Sequence, residues 1–284
     1  YCACLALLEP GDEVIIFEPF YGYHVSTLIA TNAVPVFVTM KPPEWVFSYD
    51  DLEQVVTSRT RAIVINTPAN PSGKVFSHTE LEMIADFSVK YDLFVFTDEI
   101  YEHFVYDGRE HIAPATLPGM EERTITISGL SKTFSITGWR IGYCICSEKW
   151  SQAIGYFNDL IYVCAPAPLQ MGVAKGLLKL DTTYYKNIEM LYQKKRDLIC
   201  ETLVSAGLRP YVPQGAYYVL CDISKIPGNS SKERCLYLLE KTGVATVPGK
   251  AFYHDDKGEE LARFCFAVED QLLNDACERL MILK

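Results

Sequence analysis

Ala62–Asp98 reads AIVINTPANPSGKVFSHTELEMIADFSVKYDLFVFTD, and it decides the fold. AIVIN (62–66) and LFVFT (93–97) are short, unbroken apolar runs with the β-branched and aromatic content of buried strands. Between them, TPANPSG (67–73) is a rigid Pro/Gly turn. Ser77-His78-Thr79-Glu80 then opens a helix reaching about Tyr91, with Ser and Glu spaced as a capping box. Two fully apolar strands joined through a helix make a βαβ unit, and a strand buried on both faces belongs to a mostly parallel sheet covered by helices.

The pattern repeats outward. Toward the N-terminus, YCACLALL (1–8) is an apolar helix stopped by Glu9-Pro10-Gly11-Asp12. EVIIF (13–17) is a strand, Gly22–Thr31 a helix and Val34–Val38 a strand, and a helix opens near Ser48 and runs to Val56. Toward the C-terminus, Thr124–Ser128 and Ile141–Cys146 are further strands. From about residue 150 the pattern turns helical: 150–159, 167–180 and a long charged segment, 184–206, ended by Gly207. Strands at 217–222, 244–247 and 262–267 and helices at 231–242 and 272–283 follow. The expected organisation is an α/β large domain (1–183), a connecting helix (184–206) and a smaller α+β domain (207–284). YCACLALL carries no cap and no initiating Met, so the reading places the true N-terminus upstream.

Composition narrows the function. A net charge of −10 argues against a nucleic-acid groove, which needs clustered Lys and Arg. The five histidines are scattered without metal-pair spacing, so no metal site is expected. The ten cysteines read as small buried hydrophobes in a reducing, cytoplasmic setting. No apolar run is long enough to span a membrane.

In parallel α/β sheets ligands bind beyond the carboxyl ends of the strands, so polar residues just after each strand are the candidates. Asp98 ends LFVFT; it is either a helix cap or a carboxylate held for a cationic ring nitrogen. Tyr101 is a core residue or a phenol facing a ring oxygen. Asn70 is a turn residue or an amide donor fixed by its turn. Tyr21, in EPFYGY, is one aromatic among many or a stacking platform. SGLSKTFSITGWRIG (128–142) sets Lys132 among small hydroxyl residues; it is a surface lysine in a Ser/Thr-rich turn or an amine that partial desolvation makes a nucleophile. Arg140 is a surface charge or a forked phosphate ligand, with Ser131 and Ser128 as possible hydroxyl donors. Arg263, inside ARFCFA, is a structural ion pair or a carboxylate site.

Together, EPFYGY, NTPANPSGKVF, TDEIYEHFVYDG, SGLSKTFSITGWRIGY, PQGAYY, VPGKAF and RFCFAVED resemble the fold-type I pyridoxal-phosphate enzymes, specifically the class I/II aminotransferases of the aspartate, aromatic and kynurenine subgroup. The resemblance covers essentially the whole chain. It implies an amino-group transfer by a ping-pong route, with pyridoxal 5'-phosphate as cofactor, amino acids and 2-oxo acids as substrates, and a homodimer with sites at the interface. It makes Lys132 the residue of the internal aldimine and pairs Asp98 with the pyridinium nitrogen. Asn70 and Tyr101 would hydrogen bond the ring oxygen, and Tyr21 would stack on the ring. Arg140 and Ser131 would bind the phosphate, and Arg263 the substrate α-carboxylate. Relatives carry Ser or Asn where this chain has Gly129, and the rest of the phosphate site is expected upstream of residue 1. Two alternatives remain: a C–S β-lyase on the same fold, and a non-catalytic domain of a transcription regulator. Tyr101 and the Thr137–Arg140 run weigh against the first; the complete set of site residues weighs against the second.

Overall fold

The computed structural model describes residues 1–284. A six-stranded sheet is built from β1 (Glu13–Glu18), β2 (Val34–Thr39), β3 (Thr60–Asn66), β4 (Phe94–Asp98), β5 (Thr124–Gly129) and β6 (Gly142–Ile145), in the order β2-β1-β3-β4-β5-β6. The first five strands are parallel. The sixth departs from the parallel pattern and runs antiparallel to β5. Residues 130–141 return the chain by tight turns with no crossover helix, and a parallel strand would need one.

Alternate residues of the central strands feed two cores. Val14, Ile16, Ala62 and Phe96 face one side; Ile15, Phe17, Ile63, Ile65 and Val95 face the other. Both faces are covered, which is why these strands read as continuous apolar runs rather than alternating ones. The helices around this sheet are α1 (Cys2–Leu7), α2 (Gly22–Ala30), α3 (Tyr49–Glu53), α4 (His78–Lys90), α5 (Glu148–Ile161) and α6 (Ala167–Lys179). The expected box at Ser77 and Glu80 caps α4, and Ser48 with Asp51 caps α3 in the same way.

The long helix α7 (Thr182–Ser205) starts at an Asp181 cap, slightly before the expected position. Beyond it lies an antiparallel sheet of β7 (Arg209–Tyr211), β8 (Tyr218–Asp222), β9 (Val247–Pro248) and β10 (Leu261–Cys265), in the order β7-β8-β10-β9, with α8 (Ser231–Thr242) and α9 (Asp270–Leu280). β7 lies where no strand is expected, and β9 shares only Val247 with the expected 244–247 strand. Both are edge strands of two or three residues that include a proline, which an edge tolerates. Tyr101, Phe104 and Tyr106, just after β4, are buried in one core with Leu203, Val219, Phe264 and Phe266. The chain leaving β4 is thereby anchored against the second sheet.

The cysteines divide. Cys4, Cys200, Cys221, Cys235 and Cys277 are buried as expected, but Cys144, Cys164 and Cys265 are exposed, two of them on strands with an open face. No helix is long and apolar enough to cross a membrane.

Candidate active site

The carboxyl ends of β3, β4 and β5 lie side by side: Asn66 pairs with Asp98, and Asp98 with Ile127. Above them is a cavity of about 520 Å³. Tyr21, Asn70, Asp98, Tyr101, Ser131, Lys132, Arg140 and Arg263, the residues singled out by the sequence, all line it. They come from five separate stretches of chain.

Asp98 is the last residue of β4. Its Oδ2 lies 2.9 Å from His24 Nε2, and its Oδ1 accepts the backbone N–H of Ile100 at 3.3 Å. Its carbonyl accepts Asn66 Nδ2 at 3.0 Å. Asn66 also works in the other direction, since its Oδ1 accepts the Asn70 N–H at 2.7 Å. One side chain therefore ties the NPSG turn to the end of β4. Gly73 lets that turn close: its φ is +70°, and a Cβ there would lie 2.1 Å from Pro213 Cβ.

Tyr101 is buried, and its hydroxyl donates to that of Tyr218 at 3.4 Å. Burial, reinforced by Tyr217 and Tyr218, pushes its phenol above the ordinary range, so it stays protonated at any working pH. Tyr21 caps the start of α2, with its ring edge-on to His24 at 5.3 Å between centroids. Its phenol is also raised, mainly by burial.

Lys132 is half-buried. Burial holds its pKa below the ordinary lysine value, and the Arg140 cation adds to the effect; Asp98 acts in the opposite sense. The turn around it is compact: Ser131 O accepts Ile136 N at 3.0 Å and Thr137 Oγ1 at 3.1 Å. Arg140 adopts a left-handed conformation (φ 59°) and donates from Nη1 to Thr137 O at 2.8 Å. Ser128 does not fit as a phosphate donor. Its single hydroxyl proton is directed at Glu99 O or Glu102 Oε1, both 3.2 Å away. Gly129 has a packing reason: a Cβ there would lie 2.9 Å from both Gly142 Cα and Ile141 O, where β5 meets β6.

Arg263 projects from β10. Its Nη1 donates to Asn70 Oδ1 at 2.8 Å, and its buried Nε has no partner. The guanidinium carbon sits over the ring of Tyr218 at 4.2 Å and that of Phe252 at 5.1 Å.

A family profile for aminotransferase class I and II matches residues 1–280. The chain belongs to that family. It is 36% identical to a kynurenine–oxoglutarate transaminase of Dictyostelium discoideum, over all of this chain and 74% of the relative. It is 38% identical to aromatic-amino-acid aminotransferase 2 of Thermococcus litoralis, over 96% of this chain and 70% of the relative. The solved N-succinyldiaminopimelate aminotransferase of Mycobacterium tuberculosis superposes with a TM-score of 0.95 at 36% identity, covering all of this chain and 74% of that one.

Within this aminotransferase two arginines, Arg196 and Arg263, are treated in opposite ways. Arg196 is buried, and its fork is filled by Asp107, with both contacts at 2.7 Å. Arg263 has no carboxylate partner in the chain and meets only a neutral amide and two rings. The first is a structural ion pair; the second keeps an unneutralised fork at the cavity.

Sequence reasoning missed His24, Asn66 and Tyr218. His24 lies in the first turn of α2, three residues after Tyr21 at the cap position, and the two rings meet at 5.3 Å. Tyr218 opens β8 directly after the buried Tyr217, and its ring packs on that of Tyr217 at 4.8 Å between centroids while still reaching the cavity.

Proposed function

We propose that this chain transfers the amino group of an amino acid to a 2-oxo acid, using pyridoxal 5'-phosphate held in the cavity above β3, β4 and β5. The observation that carries the reading is the convergence there of an amine with a depressed pKa (Lys132), a strand-end carboxylate (Asp98) and two cations without carboxylate partners (Arg140 and Arg263).

The donor set fits a flat, protonated ring bearing a phosphate. Asp98 would meet the ring nitrogen, and Asn70 and Tyr101 the ring oxygen. The Nδ2 of Asn70 is not engaged by the chain, and the Tyr101 hydroxyl, which stays protonated, would turn from its 3.4 Å contact with Tyr218 to reach the ring. Tyr21 would cover a ring face, and Arg140 with Ser131 would meet the phosphate. The cofactor supplies the electron sink for the charge left when the Cα–H bond breaks. Lys132, the amine at the cavity with a depressed pKa, would be the residue that holds the cofactor covalently.

The residues of the chain do the rest. Lys132 Nζ, drawn toward its neutral form by burial and by Arg140, takes the proton from the substrate Cα and delivers it as a general base and acid. His24 fixes the orientation of Asp98 through the 2.9 Å contact. Arg263 aligns the α-carboxylate through its fork, which holds the Cα over Lys132. Release of a 2-oxo acid before the second substrate enters gives ping-pong kinetics.

The same reading makes the enzyme a homodimer. The wholly exposed edge strand β6 and the exposed Leu160, Val163 and Leu178 supply an apolar surface for the second subunit. A panel of amino donors tested against 2-oxoglutarate measures the activity. Lys132→Ala is expected to abolish transfer and the visible absorbance of the bound cofactor. Wild-type turnover in that variant would refute the assignment.

A further inference from the structure

Arg263 presents a problem that its neighbours solve. A guanidinium at a binding cavity must be held in one orientation, yet an ion pair with a chain carboxylate, as at Arg196, would occupy its fork. Here the holding is done on its faces. Tyr218 lies opposite Cys265 across β8 and β10, and Arg263 lies opposite Leu220, so Tyr218 and Arg263 are diagonal neighbours on one sheet face. That register brings the Tyr218 ring under the guanidinium at 4.2 Å, and Phe252 approaches at 5.1 Å. A ring attracts a cation through its quadrupole without supplying a counter-charge. The donors of the fork lie in the guanidinium plane, so a ring at the face leaves them usable. One of them, Nη1, is steadied by the neutral amide of Asn70; another, Nε, is buried and unpartnered. The Tyr218 ring is in turn tied through its hydroxyl to Tyr101.

We propose that Tyr218 is a positioning residue for the substrate carboxylate: its ring face, with Phe252, orients Arg263 at the cavity while leaving the charge of the guanidinium uncompensated. The proposal rests on the reading of Arg263 as the carboxylate site, and the two are separable by experiment.

The probe is 3-phenylpropanoate, an unreactive monocarboxylate, titrated by calorimetry into the cofactor-loaded protein. A desolvated cation–π contact corresponds to roughly a three- to thirty-fold change in affinity. Tyr218→Leu is expected to weaken binding by that factor, and Tyr218→Phe, which keeps the ring, to restore it. Phe252→Leu probes the other face and is expected to weaken binding less. In an Arg263→Gln background, Tyr218→Leu is expected to add almost nothing, because the ring acts only through the guanidinium. The proposal is overturned if Tyr218→Leu binds the probe normally while Arg263→Gln does not. It is also overturned if Tyr218→Leu costs as much without Arg263 as with it, which would make the ring merely part of the wall. Normal binding by Arg263→Gln would instead sink the carboxylate reading itself.

Discussion

Replacing Gly129 by Ser tests whether this position is a missing phosphate ligand or a packing requirement. A Ser there would restore the residue expected from the resemblance. The structure predicts harm. Any Cβ at 129 would sit 2.9 Å from Gly142 Cα and 2.9 Å from Ile141 O, both backbone atoms of the paired return strand. Ordinary contact begins several tenths of an ångström further out. Backbone cannot rotate away as a side chain can, so β5 and β6 must separate. Overpacking of this kind costs about 1–3 kcal/mol. For a chain of this size, that corresponds to a fall of about 2–5 °C in the melting temperature. The strain falls on the two strands that carry the Lys132–Arg140 turn, so cofactor affinity should drop with stability. Thermal unfolding and a cofactor titration of the same preparation measure both. A Gly129→Ser variant that melts at the wild-type temperature and binds cofactor more tightly would refute the packing argument.

Arg140→Gln and Asp98→Asn should move the titration of Lys132 in opposite directions. Arg140 lowers the lysine pKa and Asp98 raises it, so loss of the arginine shifts the midpoint up and loss of the carboxylate shifts it down. The pH dependence of pyridoxal capture by the apoprotein reads the midpoint; shifts of the same sign in both variants would contradict the electrostatic account. His24→Ala removes a hydrogen bond to a carboxylate, worth about 1.5–3 kcal/mol. Turnover should fall as Asp98 loses its fixed orientation, with a fall of about 3–5 °C in melting temperature, and unaltered turnover would show that the 2.9 Å contact does not orient Asp98.

The β3–α4–β4 unit was legible because both sheet faces are covered. Burial on two sides removes the polar alternation that would otherwise blur a strand, and the Ser77–Glu80 box marks the helix start by local chemistry alone. The direction of β6 was not legible, since a strand shows the same period whichever way it runs. The edge strands β7 and β9 are too short for any periodicity to register. Asp98, Asn70 and Lys132 could be found because strand ends are where a parallel sheet puts its ligands. The contacts that hold them could not be read so directly. His24 meets Asp98 across 74 positions, and Arg263 meets Asn70 across 193, separations that only the sheet order closes. Tyr218 was hidden for another reason: beside Tyr217 in an apolar strand it reads as one more core aromatic.

The central claim is that Lys132 carries the cofactor. Borohydride reduction of the cofactor-loaded protein, followed by peptide mapping, tests it directly. The account predicts a phosphopyridoxyl adduct on the peptide containing Lys132, absent from Lys132→Ala. An adduct on Lys74, the buried lysine held by Glu80, or a loaded protein with no adduct at Lys132, would contradict it.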